Sequence, residues 1–587
     1  MALTRKDKII ALLPPASSDL SDTSEDEEFP GKLFDMIRDS NSESSEAPSI
    51  PDEAVAVMED IMNDLSNTND ASPDEATPVV QNIPEEVSLC AFSTPRTSFA
   101  ITPLKTRSHS KTGKKRKNVS HAVRDKLIKD EVSRKRSKVN KKKLECSWTN
   151  EQFAFPVDIP EDNFTTPDRV KTPYEYFQMF FSDDLLQMLV DNTILYSVQQ
   201  TGKSICVTLE EMKDFLAIQI LMGIVEVPAY TDYWSQKFRY NDIAEIMSLK
   251  RYRQIRRHIH FVNNANQNDD PYFKIRPALE IVRRNCMSVE EEKKQSIDEM
   301  MVPYKGKKAG SKRQYIKSKP KKWGFKIFVR AGVSGLVYDF LIYGGEKTFR
   351  EYHQFTSEEN TLGLGAKVIL SLCKSMKAPI CSAVYFDNFF TSLELVHIRR
   401  QNYGILSLGT IRSNRLGICS LENDKALAKR GRGSFCFKND NVNKISCVKW
   451  FDNKAVILVS SYVSVEPVAT ATRYTKHKKD KIDIPCPSIV KQYNRHMGGV
   501  DLMDMLVSLY RTRLKTRRWY LSIFAQMIDL CMNNAWLLYR RETKLTCAES
   551  GGNVENISLK EFRYYVSKSL RMKGRSTDSR VNENVNR

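Results

Sequence analysis

The hydrophobic pattern of the chain changes at Gln295, and this change limits the possible folds more than any other feature. Before it, residues 150–290 carry apolar side chains at helical spacing, and Thr208 with Glu211 forms a capping box that predicts a helix start. After it, short apolar runs separated by glycines are typical of strands, at 296–304, 325–330 and 336–342. A mainly helical region followed by a mixed α/β region is therefore predicted.

Further segments of both kinds follow the first strands. Residues 382–386 read as a buried strand, and 404–465 as a second set of short strands. Helical spacing returns in three segments, at about 362–375, 500–510 and 517–541, and the last of these is predicted to close the ordered part. The longest apolar stretch, about 215–227, is too short for a bilayer span and predicts a buried helix, so no membrane association is expected.

Charge divides the chain into three parts. The first hundred residues contain 21 acidic and 6 basic side chains, and they are rich in Ser and Pro. Such a segment buries too little apolar surface to offset its ordering entropy, so residues 1–104 are predicted to be disordered. The acidic run at 21–28 suits an acid-directed kinase or a chromatin partner, or is simply a solvated tail. The rest of the chain is strongly basic, which suits a polyanion such as DNA or RNA.

Residues 101–145 contain 17 basic and 4 acidic side chains. Clusters of this kind are typical of nuclear import or of nucleic-acid contacts, although a solvated linker is the plainer interpretation. A nuclear protein is therefore expected, and the scattered cysteines fit a reducing compartment. The import-like clusters are Lys114, Lys115, Arg116, Lys117, Arg134, Lys135 and Arg136.

Four aspartates stand where chemistry would be expected. Asp298 lies in the first predicted strand and Asp387 ends the buried one, while Asp501 and Asp504 share one helix face. Carboxylates brought together repel each other unless a cation neutralises them, and Mg²⁺ prefers such oxygen ligands. Two ions roughly 4 Å apart can cleave a phosphodiester. Plainer readings stay open, since Asp501 could cap its helix and Asp387 could form a turn with Asn388.

These aspartates belong to three blocks, SIDEMMVPYKG at 296–306, YFDNFFTS at 385–392 and YNRHMGGVDLMD at 493–504. In this order and spacing the blocks closely resemble the signature blocks of piggyBac transposases and of host proteins derived from them. Further similarity extends over roughly residues 150–545. The resemblance implies an α/β fold with an RNase H-like catalytic core of the DDE/DDD type, a mainly helical N-terminal domain and a β-rich insertion between the second and third acids.

The expected division of the chain combines this resemblance with the composition. It comprises a disordered acidic tail (1–104), a basic linker (105–147), a helical dimerisation and DNA-binding domain (148–292), a first core part (293–402), the β-rich insertion (403–485), a second core part (486–545) and a polar tail (546–587).

The resemblance also implies the activity and its residues. Asp298, Asp387 and Asp501 would be metal ligands for two Mg²⁺ ions, with Mn²⁺ as an alternative, and Asp504 would be a supporting catalytic acid. Members of the family move DNA by cut and paste: they nick each transposon end, form and open a hairpin, and join the ends at a TTAA target. A homodimer acting on double-stranded DNA is expected.

Cationic side chains near the acid blocks are candidates for phosphate contacts, which position a duplex without reading its sequence. Ordinary solvated faces are the alternative. The candidates are Lys317, Lys319, Lys321, Lys322, Arg511, Arg513, Lys515, Arg517 and Arg518.

Several nearby residues are interpreted as structural. Trp519 and Tyr520 are expected to anchor the last helix, and His496 is expected to be structural rather than catalytic. Glu299 should point to the opposite side of its strand from Asp298, which leaves it outside the site.

One departure from the family pattern concerns zinc. Typical members end in a cysteine-rich zinc domain that recognises transposon ends, whereas the last 56 residues contain only Cys547 and no histidine. No zinc is expected, and end recognition would fall to the basic stretch at 105–145. Three functions therefore stay open: an active transposase, a host-adopted nuclear protein that binds DNA or chromatin without transposing, and a structural nuclear protein recruited through the acidic tail. The intact acids favour the first and the missing zinc domain favours the second.

Overall fold

The computed structural model describes residues 144–317, 319–349, 354–475, 480–551 and 557–572. The predicted disordered tail and nearly all of the basic linker, with its import-like clusters, lie outside the described residues. The first described region is mainly helical, as predicted. Its helices are α1 (Pro173–Phe180), α2 (Asp183–Thr201), α3 (Leu209–Ile224), α4 (Asn241–Ala244), α5 (Leu249–His258) and α6 (Arg276–Ser288).

Capping boxes define two of these helix starts. The Thr208 hydroxyl accepts a hydrogen bond from the Glu211 amide (3.2 Å), and the Glu211 carboxylate accepts one from the Thr208 amide (3.1 Å), as the sequence predicts. Helix α3 then buries nearly all of its sides in the core, which confirms that the apolar stretch is a buried helix. In the described ranges, no helix is long and apolar enough to cross a bilayer.

The sheet begins with β1 (Lys294–Pro303), close to the predicted change of pattern. Five strands run in the spatial order β4-β3-β1-β5-β6, in which the first two pairings are antiparallel and the last two are parallel. These strands are β3 (Trp323–Gly332), β4 (Val337–Ile342), β5 (Ala383–Phe386) and β6 (Leu406–Thr410), and the short β2 (Gln314–Tyr315) pairs with the start of β3. Helices α7 (Leu364–Cys373) and α8 (Leu393–Tyr403) flank β5 in the chain.

The strands predicted within 404–465 are present, and most of them extend the same sheet. β9 (Ala455–Ser460) pairs with β6, β8 (Ile445–Phe451) with β9, and β7 (Phe435–Asp440) with β8. Only β10 (Ala469–Thr475) and β11 (Asp480–Cys486) form a separate sheet, and α9 (Asp424–Arg430) precedes β7. The sheet therefore continues across the boundary expected at residue 403, because β9 covers the edge that β6 would otherwise leave open.

Ordered structure continues beyond the predicted end. After α10 (Ser488–His496) and α11 (Gly499–Leu509), helix α12 spans Trp519–Ser550 and α13 spans Leu559–Met572. The expectations that order ends near residue 541 and that 546–587 is a polar tail are therefore wrong for 557–572. The physical reason is an apolar stripe at helical spacing, which α13 buries in the core: Leu559, Phe562, Val566 and Leu570.

Helix α13 packs against α3 and is tied to α12 by an ion pair with no solvent exposure. The Arg563 guanidinium lies 2.9 Å from the Asp529 carboxylate. Asp529 also accepts hydrogen bonds from the amide (2.9 Å) and the hydroxyl (2.8 Å) of Thr512, in the segment between α11 and α12. Since a buried charge is tolerated only when paired and hydrogen-bonded, this network fixes α13 and that segment on one helix.

Candidate active site

The first two acids lie side by side at the ends of paired strands. β1 and β5 are parallel, and Ile297 is the register partner of Phe386. Asp298 follows the first of these residues and Asp387 the second. The register of the sheet therefore places the two aspartates next to each other, although 89 positions separate them in the sequence.

Alternation along the strands puts both side chains on one face of the sheet. Ile297 and Phe386 belong to the core cluster on the opposite face. Met300 on β1 and Tyr385 on β5 belong to clusters that include residues of α11 and α10, respectively. Because successive strand residues point to opposite faces, Asp298 and Asp387 face the side covered by α10 and α11.

Helix α11 reaches this face through a close backbone contact. A Cβ on Gly499 would lie 2.0 Å from the Gly332 carbonyl oxygen and 2.9 Å from the Ser296 Oγ, so only glycine fits at this position. The contact places the start of the helix on β1 and β3, and Asp501 follows two residues later. The glycine pair of the third sequence block thus has a structural role in bringing the third acid to the strands.

The third and fourth acids occupy the first half of α11. Asp501 is in the first turn and its side chain is 59% exposed, while Asp504 is partly buried. The N-cap of the helix is Gly498, and no side chain caps it. Asp501 therefore does not serve as the cap of its helix, which removes one of the plainer interpretations.

The pKa values of Asp298, Asp387 and Asp504 are raised by burial and by neighbouring negative charges. Burial and then the negative charge of Asp501 raise the pKa of Asp298 well above its ordinary value, with further contributions from Glu299 and Asp387. Burial also raises the pKa of Asp387, reinforced by the charge of Glu299, although backbone amides and a lysine oppose it. The pKa of Asp504 is raised as well, by burial and by the charge of Asp501. The cluster therefore resists full ionisation unless a cation joins it.

Lys319 supplies one such cation. Its ammonium lies 4.0 Å from an Asp501 carboxylate oxygen. Burial opposes its charged form, but the carboxylates of Asp298, Asp501, Glu299 and Asp504 together raise its pKa above the ordinary value. Sequence reasoning assigned this lysine to DNA, whereas it lies inside the acid cluster. No signal in the sequence separates it from its neighbours Lys317, Lys321 and Lys322, whose side chains are exposed.

The carboxylates suit a hard divalent ion by donor type and charge. Within the described part of the chain, however, no set of three or more His, Cys, Asp and Glu side chains is already arranged to hold a metal. The Lys319 ammonium beside Asp501 takes the place that a metal cation would occupy among the carboxylates. Metal binding would thus require the lysine to yield its position.

The segment after Asp387 is held rigidly. The Asp387 carboxylate accepts the Phe389 amide (2.8 Å), so the residue does form a turn while also facing Asp298. The Arg415 guanidinium donates to the carbonyls of Asn388 (2.7 Å) and Thr391 (2.8 Å). Asp387 can therefore form the turn and belong to the acid cluster at the same time, and the turn fixes the direction of its carboxylate.

Sequence reasoning missed Tyr493 as a neighbour of the acids. This α10 residue is buried, and burial together with the charges of Asp387, Asp298 and Asp501 raises its pKa. No spacing rule could have suggested it, because α10 ends at His496 and Asp501 lies on the next helix. Its phenol is neutral and forms a wall of the site.

Glu299 lies on the opposite face, as predicted, where its carboxylate is 3.3 Å from the Lys326 ammonium. Its charge nevertheless acts on both strand acids. Lys326 also contacts the Phe328 and Phe389 rings (4.8 and 4.6 Å). The Glu299–Lys326 ion pair therefore contributes to the electrostatic potential at the site from the opposite face of the sheet.

The cations after α11 divide into fixed and exposed groups. Arg518 donates to the carbonyls of Arg257 (3.0 Å) and Ile259 (3.1 Å), so it is structural, and Arg511 is partly buried beside Gln526 (3.4 Å). Three of the predicted contacts stay exposed: Arg513, Lys515 and Arg517.

The first two exposed cations already have contacts. Arg513 forms an ion pair with Glu226 (2.8 Å), and the Lys515 ammonium lies 3.5 Å from the Pro228 carbonyl. Exposed contacts of this kind contribute little to stability. All three exposed cations lie in the segment before α12 rather than on a helix.

The aromatic and histidine interpretations are consistent with the structure. Tyr520 is buried and Trp519 packs against the same core, with ring centroids 5.8 Å from Phe325. His496 is buried, with its Nδ1 2.8 Å from the Gln492 carbonyl. Burial lowers the pKa of His260 to about 4, so that ring is neutral at physiological pH.

Comparison with known proteins gives the family. The family described as Transposase IS4 matches residues 172–536. The human PiggyBac transposable element-derived protein 3 is 31% identical over 409 residues, covering 68% of this chain and 67% of that protein. The human PiggyBac transposable element-derived protein 2 is 30% identical over 404 residues, covering 68% of this chain and 64% of that protein.

The fold is also similar to a solved structure, that of a piggyBac transposase synaptic complex with hairpin DNA. The TM-score is 0.56 at 21% sequence identity, over 70% of this chain and 84% of that one. The family match covers both strand acids and the helix that carries Asp501 and Asp504. This chain therefore belongs to the piggyBac family of transposases.

Proposed function

We propose that this protein is a metal-dependent DNA transposase that cuts DNA strands and joins them to a new site. One observation carries the proposal: acids from β1, β5 and α11 lie on one face of the sheet, and each of the strand acids has its pKa raised there. Acids of an ordinary solvated surface would not be held together against their mutual repulsion. Membership of the family agrees with this reading.

The proposed catalytic core is RNase H-like. The strand order β4-β3-β1-β5-β6, with antiparallel pairings followed by parallel ones, supports this assignment. The central strand β1 provides Asp298, its parallel neighbour β5 leads to Asp387, and a later helix provides Asp501. Strands β7 to β9 would then be an insertion that enlarges the core sheet instead of forming a separate barrel or sandwich.

Two Mg²⁺ ions are proposed as cofactors, with Mn²⁺ as a substitute. Asp298, Asp387 and Asp501 would hold them, and Asp504 would support Asp501 from one turn along α11. Such ions activate the attacking water or hydroxyl and stabilise the leaving oxygen of a phosphodiester. The protein itself would exclude water on the Tyr493 side and fix the Asp387 carboxylate through its turn.

The cations around the cluster would hold the DNA backbone. Lys317, Lys321 and Lys322 follow the first acid block in the sequence, and Arg513, Lys515 and Arg517 follow the last one. All six side chains are exposed. Contacts of this type release counterions and position the duplex, so binding should weaken steeply with salt. Hairpin ends, TTAA targets and a homodimer are proposed because they are features of the family.

A nuclear location is proposed from the basic clusters at 114–117 and 134–136. The test is microscopy of a fluorescent fusion in which the seven basic residues of these clusters are changed to alanine. Nuclear accumulation of the unaltered fusion and its loss in the variant would support the proposal. Cytoplasmic location of both would contradict it.

The second candidate is a host-adopted protein that binds DNA or chromatin without cutting. Lys319 favours it, because this ammonium lies beside Asp501 where a metal would bind. The names of the human relatives also describe proteins derived from transposable elements. The two candidates differ in one measurable respect, namely whether Mg²⁺ produces strand breaks.

The deciding experiment incubates the purified protein and Mg²⁺ with DNA that carries the flanking ends of its own gene. Nicks and hairpins resolved on denaturing gels are expected, and Asp387→Asn should abolish them without reducing DNA binding. Asp168→Asn is the matched control, because Asp168 is an exposed residue far from the blocks in sequence and should retain cleavage. Binding without any cleavage by the unaltered protein would favour the second candidate.

A further inference from the structure

A small hairpin next to the acid cluster carries two exposed aromatic rings. Tyr315 on β2 is the register partner of Trp323 on β3, and the amide of Ile316 donates to the Lys322 carbonyl (2.8 Å) to close the loop. The two ring centroids are 4.9 Å apart with planes tilted by 53°. Tyr315 is 51% exposed and Trp323 is 41% exposed. The pair therefore presents a large aromatic surface to solvent.

The charged residues of the segment that carries this pair are all basic. The Arg313 guanidinium lies 4.0 Å from the centroid of the Trp323 ring. From residue 312 to 323 the chain contains six cations and no acid. Exposed aromatic rings among cations suit a polyanion whose bases are free to stack, since stacking binds the base while the cations bind the backbone. A fully paired duplex keeps its base faces covered and offers no such partner.

The position of the hairpin links it to the acids. Its loop carries Lys319, whose ammonium lies 4.0 Å from Asp501. Along β3, Trp323 lies six residues from Val329, the register partner of Asp298. At about 3.3 Å per strand residue this is on the order of 20 Å. One DNA strand covers that distance in about six nucleotides at its usual axial spacing.

We infer that Tyr315, Trp323 and Arg313 form a stacking site for an unpaired nucleobase, within about six nucleotides of the phosphate at the acid cluster. This inference rests on the proposed function, because it assumes that DNA lies at the acids. The ligand class is a DNA end with unstacked bases, such as a frayed end or the turn of a hairpin. The hairpin of the protein would hold that base while the lysines of its loop hold the adjoining phosphates.

The test measures binding in EDTA, where no cleavage is possible. One DNA carries 2-aminopurine as an unpaired base six nucleotides from a duplex junction, and a matched DNA has the same base fully paired. Quenching of the unpaired fluorophore is expected on binding. Trp323→Leu should weaken binding of the unpaired DNA roughly 5- to 150-fold, the usual range for loss of one stacked base, and abolish the quenching.

Two further variants keep the test specific. Trp323→Phe retains an aromatic face and should restore most of the quenching. Tyr474→Leu removes another exposed ring, on β10 and 59% exposed, and should leave the binding of both DNAs unchanged. Thermal melts of each variant check that the fold is retained. An equal loss of affinity for paired and unpaired DNA in Trp323→Leu, or no loss for either, would overturn the stacking site. The second of these results is also the one expected if the rings contact a protein instead of a base.

Failure of the inference and failure of the proposed function give different results. If Mg²⁺ produces cleavage that depends on Asp387, and Trp323→Leu binds unpaired DNA normally, the enzyme proposal stands and the stacking site is wrong. If no condition gives cleavage but Trp323→Leu selectively loses unpaired DNA, the stacking site stands and the enzyme proposal is wrong.

Discussion

Replacing Lys319 with methionine is the sharpest perturbation of the acid cluster, because it removes the ammonium while keeping a side chain of similar length. In the unaltered protein this charge offsets the repulsion among Asp298, Asp501 and Asp504. A metal ion that binds the same carboxylates competes with it. We therefore expect the variant to bind Mg²⁺ more tightly than the unaltered protein and to be less stable without metal.

The magnitude follows from the distance of 4.0 Å between the Lys319 ammonium and the Asp501 carboxylate. At this separation two unit charges interact by about 1 kcal/mol in water and about 4 kcal/mol at an effective dielectric constant of 20. The Asp501 side chain is 59% exposed, so solvent screening places the interaction in the lower part of that range. An energy of about 1–2 kcal/mol corresponds to a roughly 5- to 30-fold change in affinity.

Thermal melting at neutral pH over a series of MgCl₂ concentrations measures this change, because a ligand of the folded state stabilises it by RT ln(1 + [L]/Kd). The Mg²⁺ concentration at which stabilisation sets in, which lies near Kd, should be roughly 5- to 30-fold lower in Lys319→Met. Lys317→Met is the matched control, since Lys317 lies two positions away with an exposed side chain. Unchanged or weaker Mg²⁺ binding in Lys319→Met would refute the competition between lysine and metal.

Three further predictions concern stability. In EDTA, the unaltered protein should lose stability as the pH rises from about 3.9, the unfolded value, through the raised folded pKa of Asp298. Asp298→Asn should lose less, because it keeps the raised pKa values of other buried acids such as Asp387 but not that of Asp298. The variant should thus melt higher at neutral pH and the gap should close in acid; equal melting curves across pH 3–8 would contradict this. Arg563→Met should cost about 3–5 kcal/mol in urea unfolding by leaving Asp529 buried without its partner, and adding Asp529→Leu should recover part of the loss. Thr208→Ala should cost about 1 kcal/mol by removing the cap of α3, and no change would show that the cap is dispensable.

Much of the fold follows from local patterns. The change to strands near Gln295, the capping box at Thr208 and the buried nature of α3 all depend on spacing and side-chain chemistry within short windows. Gly499 belongs to the third sequence block, but the reason why a glycine is needed there is visible only in the three-dimensional structure. The carbonyl that excludes a side chain there belongs to Gly332, more than 160 positions away.

What could not be predicted depends on contacts between distant segments. The hydrophobic stripe of α13 was hidden in a polar composition, and its burial depends on a surface supplied by α3. The inward direction of Lys319 depends on the loop between β2 and β3 folding over the acids, which no local pattern specifies. The extension of the sheet by β7 to β9 was missed because strand order is a property of pairing rather than of sequence spacing.

The anchor at Thr512 divides the linker between α11 and α12 into two unequal arcs. Because Asp529 holds both the amide and the hydroxyl of Thr512, the linker cannot move as one piece. Arg511 is left on a short, stiff arc that follows the acids. Arg513, Lys515 and Arg517 lie on the longer arc, whose backbone is held in turn by the buried side chain of Leu514 and by the Tyr304 hydroxyl, which donates to the Arg517 carbonyl (3.0 Å). A bound strand would therefore be met by movement of the three exposed side chains, and the helix that carries Asp501 would stay in place.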